Sequence, residues 1–580
     1  MSAQFLAKAY SALEDNDLLL VEQACRQALK ADRTAGEPLH LLGISARRQD
    51  RLAEAEALLR EAWRRSPDKP EIANNLCALL CAVGAHDDGL AVADSGLARH
   101  PAFTFLHANR GVALHGLRRE EEAAAAFRAA LEGIPDLELA LFGLASALEA
   151  LGRRAEAEPV LRALLVSHPS HAEGANLLGR VLTVLERNAE ACEAFRLAVA
   201  LNPDHAAAYS NLSSVLLKLE QPEEALAAVH RSLELDPANS LACLNASIIC
   251  QELVRLDEAI AYSRRAIELD PDNIDAHWCQ SLQLLHSGQW GRGFQEYEWR
   301  WRLPFHRMLE GPPVWAGEIL GANALLVNAE QGQGDSLQFL RYVPMLRPFS
   351  SNLILRVQDS LKRLTKESFP EAAVIGYADD IPPVPFQVPL ISLPRLFHTR
   401  TEADIPAPIP YLRSNRLSVE AWHQRWATEE PMIRIGLAWR GSPTYKRDAL
   451  RSLPLDMMAP LLKTPGCRFF ALHPDINDEE HTALRRLGIG ELSSCLTDFT
   501  DTAALLETLE LVISVDTSVV HLAGALGRPV WALLPFSCDW RWGTGREDTP
   551  WYPSAKLFRQ PKAKDWESVI AAVSEALRLV

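Results

Sequence analysis

Apolar residues in the first half of the chain recur at the spacing of amphipathic helices, and the helical segments come in pairs. A proline follows the second helix of successive pairs, because its fixed backbone angle and missing N–H stop a helix. These prolines stand 34 residues apart, at Pro67, Pro101, Pro135, Pro169, Pro203, Pro237 and Pro271. The pattern predicts an array of helical hairpins.

Small residues set the register of these hairpins, since the two helices of each unit must come close together. They occupy the eighth position as Gly43, Cys77, Gly111, Ala145, Gly179, Ser213, Ser247 and Ser281, and the twentieth as Ala55, Gly89, Ala123, Ala157, Ala191, Ala225, Ala259 and Gly293. A unit of this length is typical of tetratricopeptide repeats, and Ala9 and Ala28 fit a first capping unit. We therefore expect an α-solenoid of about nine hairpins over residues 1–301, wound as a superhelix.

Asparagine recurs at the sixth position of four units, as Asn75, Asn109, Asn211 and Asn245. An amide offers both a donor and an acceptor, so a ladder of amides can bind the backbone of an extended peptide. The ladder resembles that of O-GlcNAc transferase repeats. Asparagine is also simply frequent at polar positions, and other residues interrupt the ladder in four further units. Both interpretations stay open.

Residues 302–321 form the predicted junction between the array and the second half. The segment EYEWRWRLPF is aromatic and basic, and GPPVWAGEILG then breaks any helix. We expect Trp299 and Trp301 to pack the end of the array against the next domain rather than to stack on bases. Beyond the junction, short strand patterns alternate with helical ones. They predict two α/β lobes, residues 322–412 and 413–580, the second closed by a helix.

The segment ETLELVISVDTSVVHLAGALGRPVWALLP contains the most informative strand and helix pair. Leu511–Val515 is a buried-strand pattern, and Asp516, Thr517 and Ser518 supply a turn and an N-cap before the next helix, with His521 one turn in. The unpaired N–H groups and the dipole at a helix N-terminus suit a phosphate. An ordinary strand–helix crossover with a polar cap gives the same pattern.

Two other turns carry polar residues after predicted strands. In QGQGD, Gly332 and Gly334 permit close backbone approach, and Asp335 stands where a helix N-cap belongs. After the strand IRIGLAWRG comes a basic loop that includes Arg440 and Lys446. Such a loop at the carboxyl end of a strand suits the neutralisation of a diphosphate, although a basic surface loop is also common.

Several motifs in order give the chain a specific resemblance. D-T-S-x-x-H-L-A-G-A-L-G-x-P-V-W, L-P-F-x-x-D-W-R-W and W-Y-P-S, within Leu303 to Val580, resemble bacterial glycosyltransferases similar to ADP-heptose:lipopolysaccharide heptosyltransferases, in the branch with N-terminal tetratricopeptide repeats. The resemblance implies a two-lobe α/β fold of the GT-B type, with the active site between the lobes and the nucleotide-sugar on the second lobe.

The resemblance also implies roles for individual residues. In that family the Asp-Thr-x-x-x-His turn contacts the donor diphosphate, which assigns donor binding to Asp516, Thr517, Ser518 and His521. Members of the family carry a basic residue near this loop against the donor phosphates, which implies the same role for Arg440 and Lys446.

The aspartate of the family's G-x-G-D turn is the proposed general base, and it corresponds to Asp335. An inverting transfer needs one carboxylate to accept the proton of the acceptor hydroxyl. A pure helix-cap role explains this residue type equally well.

The resemblance to repeat-fused flagellin glycosyltransferases implies inverting transfer of a sugar from a nucleotide-sugar to serine or threonine of a protein held by the repeats, with flagellin as an expected acceptor. The first lobe is shorter than in the lipopolysaccharide enzymes. Two alternatives stay open: a glycosyltransferase acting on a saccharide or lipopolysaccharide, and a non-catalytic repeat scaffold.

Composition narrows the expected partners and location. A formal net charge of −16 argues against nucleic acid as a partner. The ten cysteines form no C-x-x-C pair and suit buried positions. No membrane span and no secretory leader are predicted, so we expect a cytoplasmic protein. No convincing D-x-D pair is present, and we expect neither a metal nor another cofactor.

Overall fold

The computed structural model describes residues 2–304, 310–406, 409–427, 430–442 and 448–579. The chain divides into two compact units, Met1–Pro237 and Ala238–Val580. Helical hairpins form the first unit, and further hairpins together with two parallel sheets form the second. In the described stretches of the chain, every helix is too short or too polar to cross a bilayer.

The first unit is a succession of paired helices, each packed on the next. They are α1 (Ser2–Glu14), α2 (Leu18–Ala31), α3 (Glu37–Arg48), α4 (Leu52–Arg65), α5 (Pro70–Ala82), α6 (His86–Arg99), α7 (Thr104–Gly116), α8 (Glu120–Gly133), α9 (Glu138–Ala150), α10 (Arg154–Ser167), α11 (Ala172–Val184), α12 (Asn188–Leu201), α13 (Ala206–Lys218) and α14 (Pro222–Leu235). Small residues permit the close approach within a pair, since a Cβ at Gly111 would lie 2.7 Å from the Phe127 ring. The expected helical repeat region is therefore present.

Exposed ion pairs connect the second helices of neighbouring repeats in the first unit. In each pair an arginine at the same repeat position contacts an acidic residue 28 positions later: Arg60 with Asp88, Arg128 with Glu156, Arg162 with Glu190, and Arg196 with Glu224. All of these side chains are largely exposed, so each pair contributes little stability on its own.

The second unit starts with two more helical hairpins. These are α15 (Ser240–Glu252), α16 (Leu256–Leu269), α17 (Ile274–His286) and α18 (Trp290–Glu296), followed by a 3-10 turn, Tyr297–Arg302.

The division between the two compact units falls within the predicted array, at residues 237 and 238, and the array boundary at residues 301 and 302 stays a prediction. Trp290 lies 5.2 Å from Trp551, and Phe294 lies 5.8 Å from Trp540, ring centre to ring centre. Trp299, by contrast, stacks on His277 of α17, with the two ring centres 3.6 Å apart. Aromatic packing of α18 therefore joins the last hairpin to the sheet region.

The first sheet is entirely parallel, with strand order β3-β2-β1-β4. Its strands are β1 (Gly321–Asn328), β2 (Ser350–Arg356), β3 (Ala373–Ile375) and β4 (Phe386–Pro389), and its helices are α19 (Gln333–Phe339), α20 (Lys362–Ser368) and α21 (Leu393–Leu396).

The second sheet is also parallel, with strand order β10-β9-β8-β5-β6-β7. Its strands are β5 (Ile433–Ala438), β6 (Cys467–Ala471), β7 (Gly490–Glu491), β8 (Leu511–Val515), β9 (Val530–Leu534) and β10 (Ala555–Arg559). The helices of this region are α22 (Arg416–Trp426), α23 (Asp448–Arg451), α24 (Asp478–Leu487), α25 (Phe499–Leu506), α26 (Ser518–Ala525) and α27 (Trp566–Leu577).

Each sheet has one point at which the order of its strands reverses. In the first sheet the chain moves outward from β1 through β2 to β3 and returns to the other side of β1 with β4. In the second it moves from β5 through β6 to β7 and returns beside β5 with β8. Parallel sheets bind ligands in the crevice outside the carboxyl ends of the strands at such a reversal. The fold therefore offers two crevices, one beside β1 and β4 and one beside β5 and β8.

Candidate functional site

The turn after β8 caps the following helix at the crevice of the second sheet. Thr517 is the N-cap of α26, and its Oγ1 accepts a hydrogen bond from the N–H of Val519 at 3.3 Å. The hydroxyl of Ser514 lies 3.1 Å from the same Oγ1. Ser518 is partly exposed. The hydroxyls of Thr517 and Ser518 thus lie at the N-terminus of α26, where the helix dipole favours an anion.

His521 is buried one turn into α26, with 6% of its surface exposed. Its Nδ1 is hydrogen-bonded to the hydroxyl of Tyr552 at 2.9 Å, and its ring stacks on Trp542. Burial, followed by the positive charge of Arg541, lowers the pKa of His521 to about 3. The imidazole is therefore neutral near pH 7, and it interacts with a ligand through hydrogen bonds rather than through charge.

Gly334 brings the start of α19 against α26. A Cβ at this position would lie 2.7 Å from Cδ2 and 3.2 Å from Nε2 of His521, so any larger residue would push the two helices apart. The absence of a side chain at Gly334 thus lets the turn that carries Asp335 meet the helix that carries His521.

Asp335 lies inside the first turn of α19, three residues after the N-cap, Gly332. Its Oδ2 accepts a hydrogen bond from the N–H of Gly332 at 2.9 Å, and its Oδ1 accepts one from Arg541. The N-cap position expected for Asp335 is thus taken by Gly332. Burial raises the pKa of Asp335 and Arg541 opposes the shift, so the carboxylate is a stronger base than an exposed aspartate.

Arg541 connects several groups of the site, although sequence reasoning gave it no role. Its side chain is 7% exposed, and it donates hydrogen bonds to Asp335, Asp539 and Gln338. Its guanidinium also lies 4.5 Å from the ring centre of Trp540. The motif D-W-R-W could have indicated a buried arginine, because its two tryptophans can pack on the guanidinium and its aspartate can pair with the charge.

A second arginine reaches the turn after β8. Arg451 donates a hydrogen bond from Nη1 to the backbone oxygen of Asp516 at 2.7 Å and from Nε to Asp448 at 3.0 Å. A Cβ at Gly441 would lie 2.3 Å from Nη2 of Arg451, so glycine leaves room for the guanidinium. The pKa of Asp516 itself is raised, by burial first and by the carboxylate of Asp539 second.

Arg440, which the sequence assigned to the donor, lies in an ion-pair cluster, and its donor role stays a prediction. Its Nε and Nη2 donate to Glu480 at 2.6 and 3.0 Å, and its Nη1 is 3.5 Å from Asp475. These partners follow β6 and begin α24, so the guanidinium is engaged away from the turn after β8. Lys446 lies outside the described residues.

The asparagines at the sixth repeat position make contacts between neighbouring repeats. The Nδ2 groups of Asn75, Asn109 and Asn211 lie 2.7 Å from His40 Nε2, 2.7 Å from Asn74 Oδ1 and 3.0 Å from Asn176 Oδ1, respectively. Asn245, in α15, is half-buried. Each of the first three amides is thus hydrogen-bonded within the array, and Nδ2 of Asn109 also lies 3.5 Å from the backbone oxygen of Asn74.

All ten cysteines are free thiols. Within the ranges that the structure describes, no three His, Cys, Asp or Glu side chains come together so as to hold a metal ion. The expectation that the protein needs neither a metal nor another cofactor stays a prediction.

Family models match two parts of the chain. Residues 142–206 and 210–274 match a tetratricopeptide repeat, and residues 494–569 match glycosyltransferase family 9 (heptosyltransferase). The second match contains the turn after β8 and all of α26.

A curated relative matches about half of the chain. The chain is 30% identical over 327 residues to Protein FlbA of Caulobacter vibrioides, covering 51% of this chain and 53% of that protein. It thus spans about half the length of this relative.

Solved structures share similarity in the helical region. YrrB, described as a tetratricopeptide-repeat protein with an unusual peptide-binding site, is 22% identical, with coverage of 32% of this chain and 95% of its own and a TM-score of 0.29. The PilF protein of Pseudomonas aeruginosa is 18% identical, with coverages of 37% and 96% and a TM-score of 0.34. The family matches confirm the predicted combination: the chain carries tetratricopeptide repeats followed by a glycosyltransferase family 9 (heptosyltransferase) domain.

Proposed function

We propose that this protein is an inverting glycosyltransferase of the GT-B type that transfers a sugar from a nucleotide-sugar to serine or threonine of a protein bound by the repeats. The family 9 match and the two parallel sheets, each with a strand-order reversal, support this function. The cytoplasm stays its predicted location, and flagellin its predicted acceptor.

In this proposal the donor diphosphate binds at the start of α26. Thr517, Ser518 and neutral His521 donate hydrogen bonds, and the helix dipole favours the negative charge. Arg451 and Arg541 supply positive charge on two sides, which suits a reaction that needs no metal. Arg440 would have to leave Glu480 before it contacted the donor.

Asp335 acts as the general base. It takes the proton of the acceptor hydroxyl while that oxygen bonds to the anomeric carbon. The bond from this carbon to the diphosphate breaks, and its electron pair stays on the departing nucleoside diphosphate. The observation that carries the proposal is the close approach of Gly334 to His521, because it sets the turn that carries the candidate base against the helix that carries the candidate donor site.

The repeats hold the acceptor protein in this proposal. Asparagine amides offer both donors and acceptors to a peptide backbone, and an attached binding surface raises the local concentration of the acceptor hydroxyl.

The proposal is tested by incubating the chain with ADP-, GDP-, UDP- and dTDP-linked sugars, with purified flagellin in one reaction and lipopolysaccharide in another. We expect a mass increase of one sugar on a flagellin serine or threonine, and none with Asp335→Asn. A sugar found only on lipopolysaccharide would support the saccharide alternative. If no sugar is transferred and no nucleoside diphosphate is released from any donor, the result would support the scaffold alternative.

A further inference from the structure

A buried arginine occupies the crevice of the first sheet. Arg300, in the 3-10 turn Tyr297–Arg302, has no exposed side-chain surface. Its Nη2 donates to Glu330 Oε1 and to Ser392 Oγ, both at 2.8 Å, and its Nη1 donates to Glu298 at 2.8 Å. The charge of Arg300 is thus fully paired inside the protein.

The partners of Arg300 identify its place in the sheet. Glu330 follows the carboxyl end of β1, and Ser392 follows that of β4, the two strands at the order reversal. Glu330 also accepts a hydrogen bond from the N–H of Ile391 at 3.3 Å. The position at which this sheet would bind a ligand is therefore filled by the last turn of the repeat array.

The same turn holds the loop that leads to Asp335. The hydroxyl of Tyr297 donates to Gln331 Oε1 at 2.9 Å, and Gln358 donates to the backbone oxygen of Gln331 at 3.2 Å. Gln331 has a φ of 62°, in the left-handed region that non-glycine residues rarely adopt. Such a conformation persists only when its surroundings enforce it.

We infer that Tyr297 and Arg300 are positioning residues for the general base, so that the last turn of the repeat array supports the catalytic loop. Tyr297 holds Gln331 in its left-handed conformation, and Arg300 ties Glu330 to the end of β4. The next residue, Gly332, donates its N–H to Asp335 and thereby fixes the carboxylate. This inference rests on the proposed role of Asp335.

The inference also bears on the class of acceptor. A saccharide that entered the crevice of the first sheet would have to displace a fully buried ion pair, at a large desolvation cost. The acceptor hydroxyl therefore reaches Asp335 from outside this crevice, as the side chain of a protein segment can.

The first test uses hydrogen–deuterium exchange on the full-length chain, which requires no substrate. Tyr297→Phe removes only the hydroxyl, and we expect exchange in the peptide covering residues 329–336 to rise severalfold while exchange in α26 stays unchanged. Tyr342→Phe is the matched control, because it removes a buried hydroxyl bonded to Thr399 elsewhere in the same unit. Unchanged exchange at 329–336, or an equal rise in α26, would overturn the inference.

The second test compares two arginines of the same turn. Arg300→Lys keeps the charge but loses the multiple bonds, whereas Arg302→Lys alters an exposed side chain. We expect Arg300→Lys to lower kcat for nucleotide-sugar turnover about tenfold, with the Kd of the nucleoside diphosphate unchanged, and Arg302→Lys to change neither. Equal kcat values for both variants would contradict the positioning role.

A double variant separates the inference from the proposed function. Glycine adopts a positive φ without strain, so Tyr297→Phe should have no further effect once Gln331→Gly is present. Additive losses of turnover would count against the coupling of Tyr297 to Gln331. If Asp335→Asn leaves turnover intact, the proposed base is wrong; if Asp335→Asn abolishes turnover while Tyr297→Phe and Arg300→Lys do not lower it, only the positioning role is wrong.

Discussion

The two parallel sheets reverse their strand order in the same way, but their crevices differ in what fills them. Beside β5 and β8 lie a helix N-terminus, the hydroxyls of Thr517 and Ser518, and the neutral His521. Beside β1 and β4 lies Arg300, whose charge is already paired with Glu330 and Glu298. In our proposal the same topology supplies a ligand site in one sheet, whereas in the other it encloses a buried ion pair. Experiments that remove either set of groups test this difference.

Removal of the supporting hairpins should have the largest effect. Deletion of residues 2–301 removes α18 and Arg300, which leaves Glu330 buried without its cation and the aromatic cluster uncovered. We expect this variant to be insoluble or unfolded by circular dichroism. Deletion of residues 2–237 retains the whole second unit and should give a cooperative melt. Two variants of equal stability would show that the hairpins α15–α18 are dispensable to the sheets.

Substitution of the base should have the next largest effect. Asp335→Asn should lower turnover by about two to four orders of magnitude, while the Kd of the nucleoside diphosphate stays near that of the wild type. Asp359→Asn, on the loop after β2, is the control and should retain turnover.

The pH profile gives a second measurement on the same group. Because burial raises the pKa of Asp335, the acid limb of the rate profile should lie above the pH expected for an ordinary aspartate. The rate should fall as the pH drops through this value and the carboxylate is protonated. A limb at the ordinary value would contradict the assignment.

Loss of the groups at the start of α26 should weaken donor binding. The double variant Thr517→Ala, His521→Ala should raise the Kd of a nucleoside diphosphate tenfold or more, since each charge-assisted hydrogen bond contributes roughly 1.5–3 kcal/mol. Isothermal titration calorimetry with ADP, GDP, UDP and dTDP measures this Kd. Thr517→Ser keeps the capping hydroxyl and should bind as the wild type does. An unchanged Kd in the double variant would remove the crevice of the second sheet from the donor site.

Substitutions of Arg451 and Arg440 should differ in how strongly they weaken donor binding. Arg451→Met should raise the diphosphate Kd roughly tenfold, because its guanidinium reaches the turn at Asp516. Arg440→Met should change the Kd less, since Arg440 is paired with Glu480. A larger effect at Arg440 would indicate that the cluster after β6 rearranges when donor binds.

The smallest effect is expected from the repeat amides. Alanine at Asn75, Asn109, Asn211 and Asn245 should raise the KM for a protein acceptor severalfold and leave the donor KM unchanged, because part of each of the first three amides is engaged between repeats. The variant Asn188→Ala, on the second helix of its unit, serves as the control. An unchanged acceptor KM would mean that these amides only join repeats.

Local patterns predicted the parts of the molecule that local interactions determine. The proline period identified the repeats, and β8 was expected over Leu511–Val515, where it lies. The contact of Arg541 with Asp335 joins residues 206 positions apart, so no local pattern contains it. Arg440 was assigned by its loop, but Glu480, from a later helix, competes for its charge. The packing of α18 on Trp551 and Trp540 likewise depends on tertiary contacts that no local pattern contains.

The recurring ion pairs between second helices have a consequence for how the array can change over evolutionary time. Since the arginine and its acidic partner occupy fixed positions in the 34-residue period, several repeats present the same charges to their neighbours. Duplication or loss of one such repeat would join compatible surfaces and create no like-charge contact at these positions. The length of the array, and with it the extent of its surface, is therefore open to change one repeat at a time without redesign of the remainder.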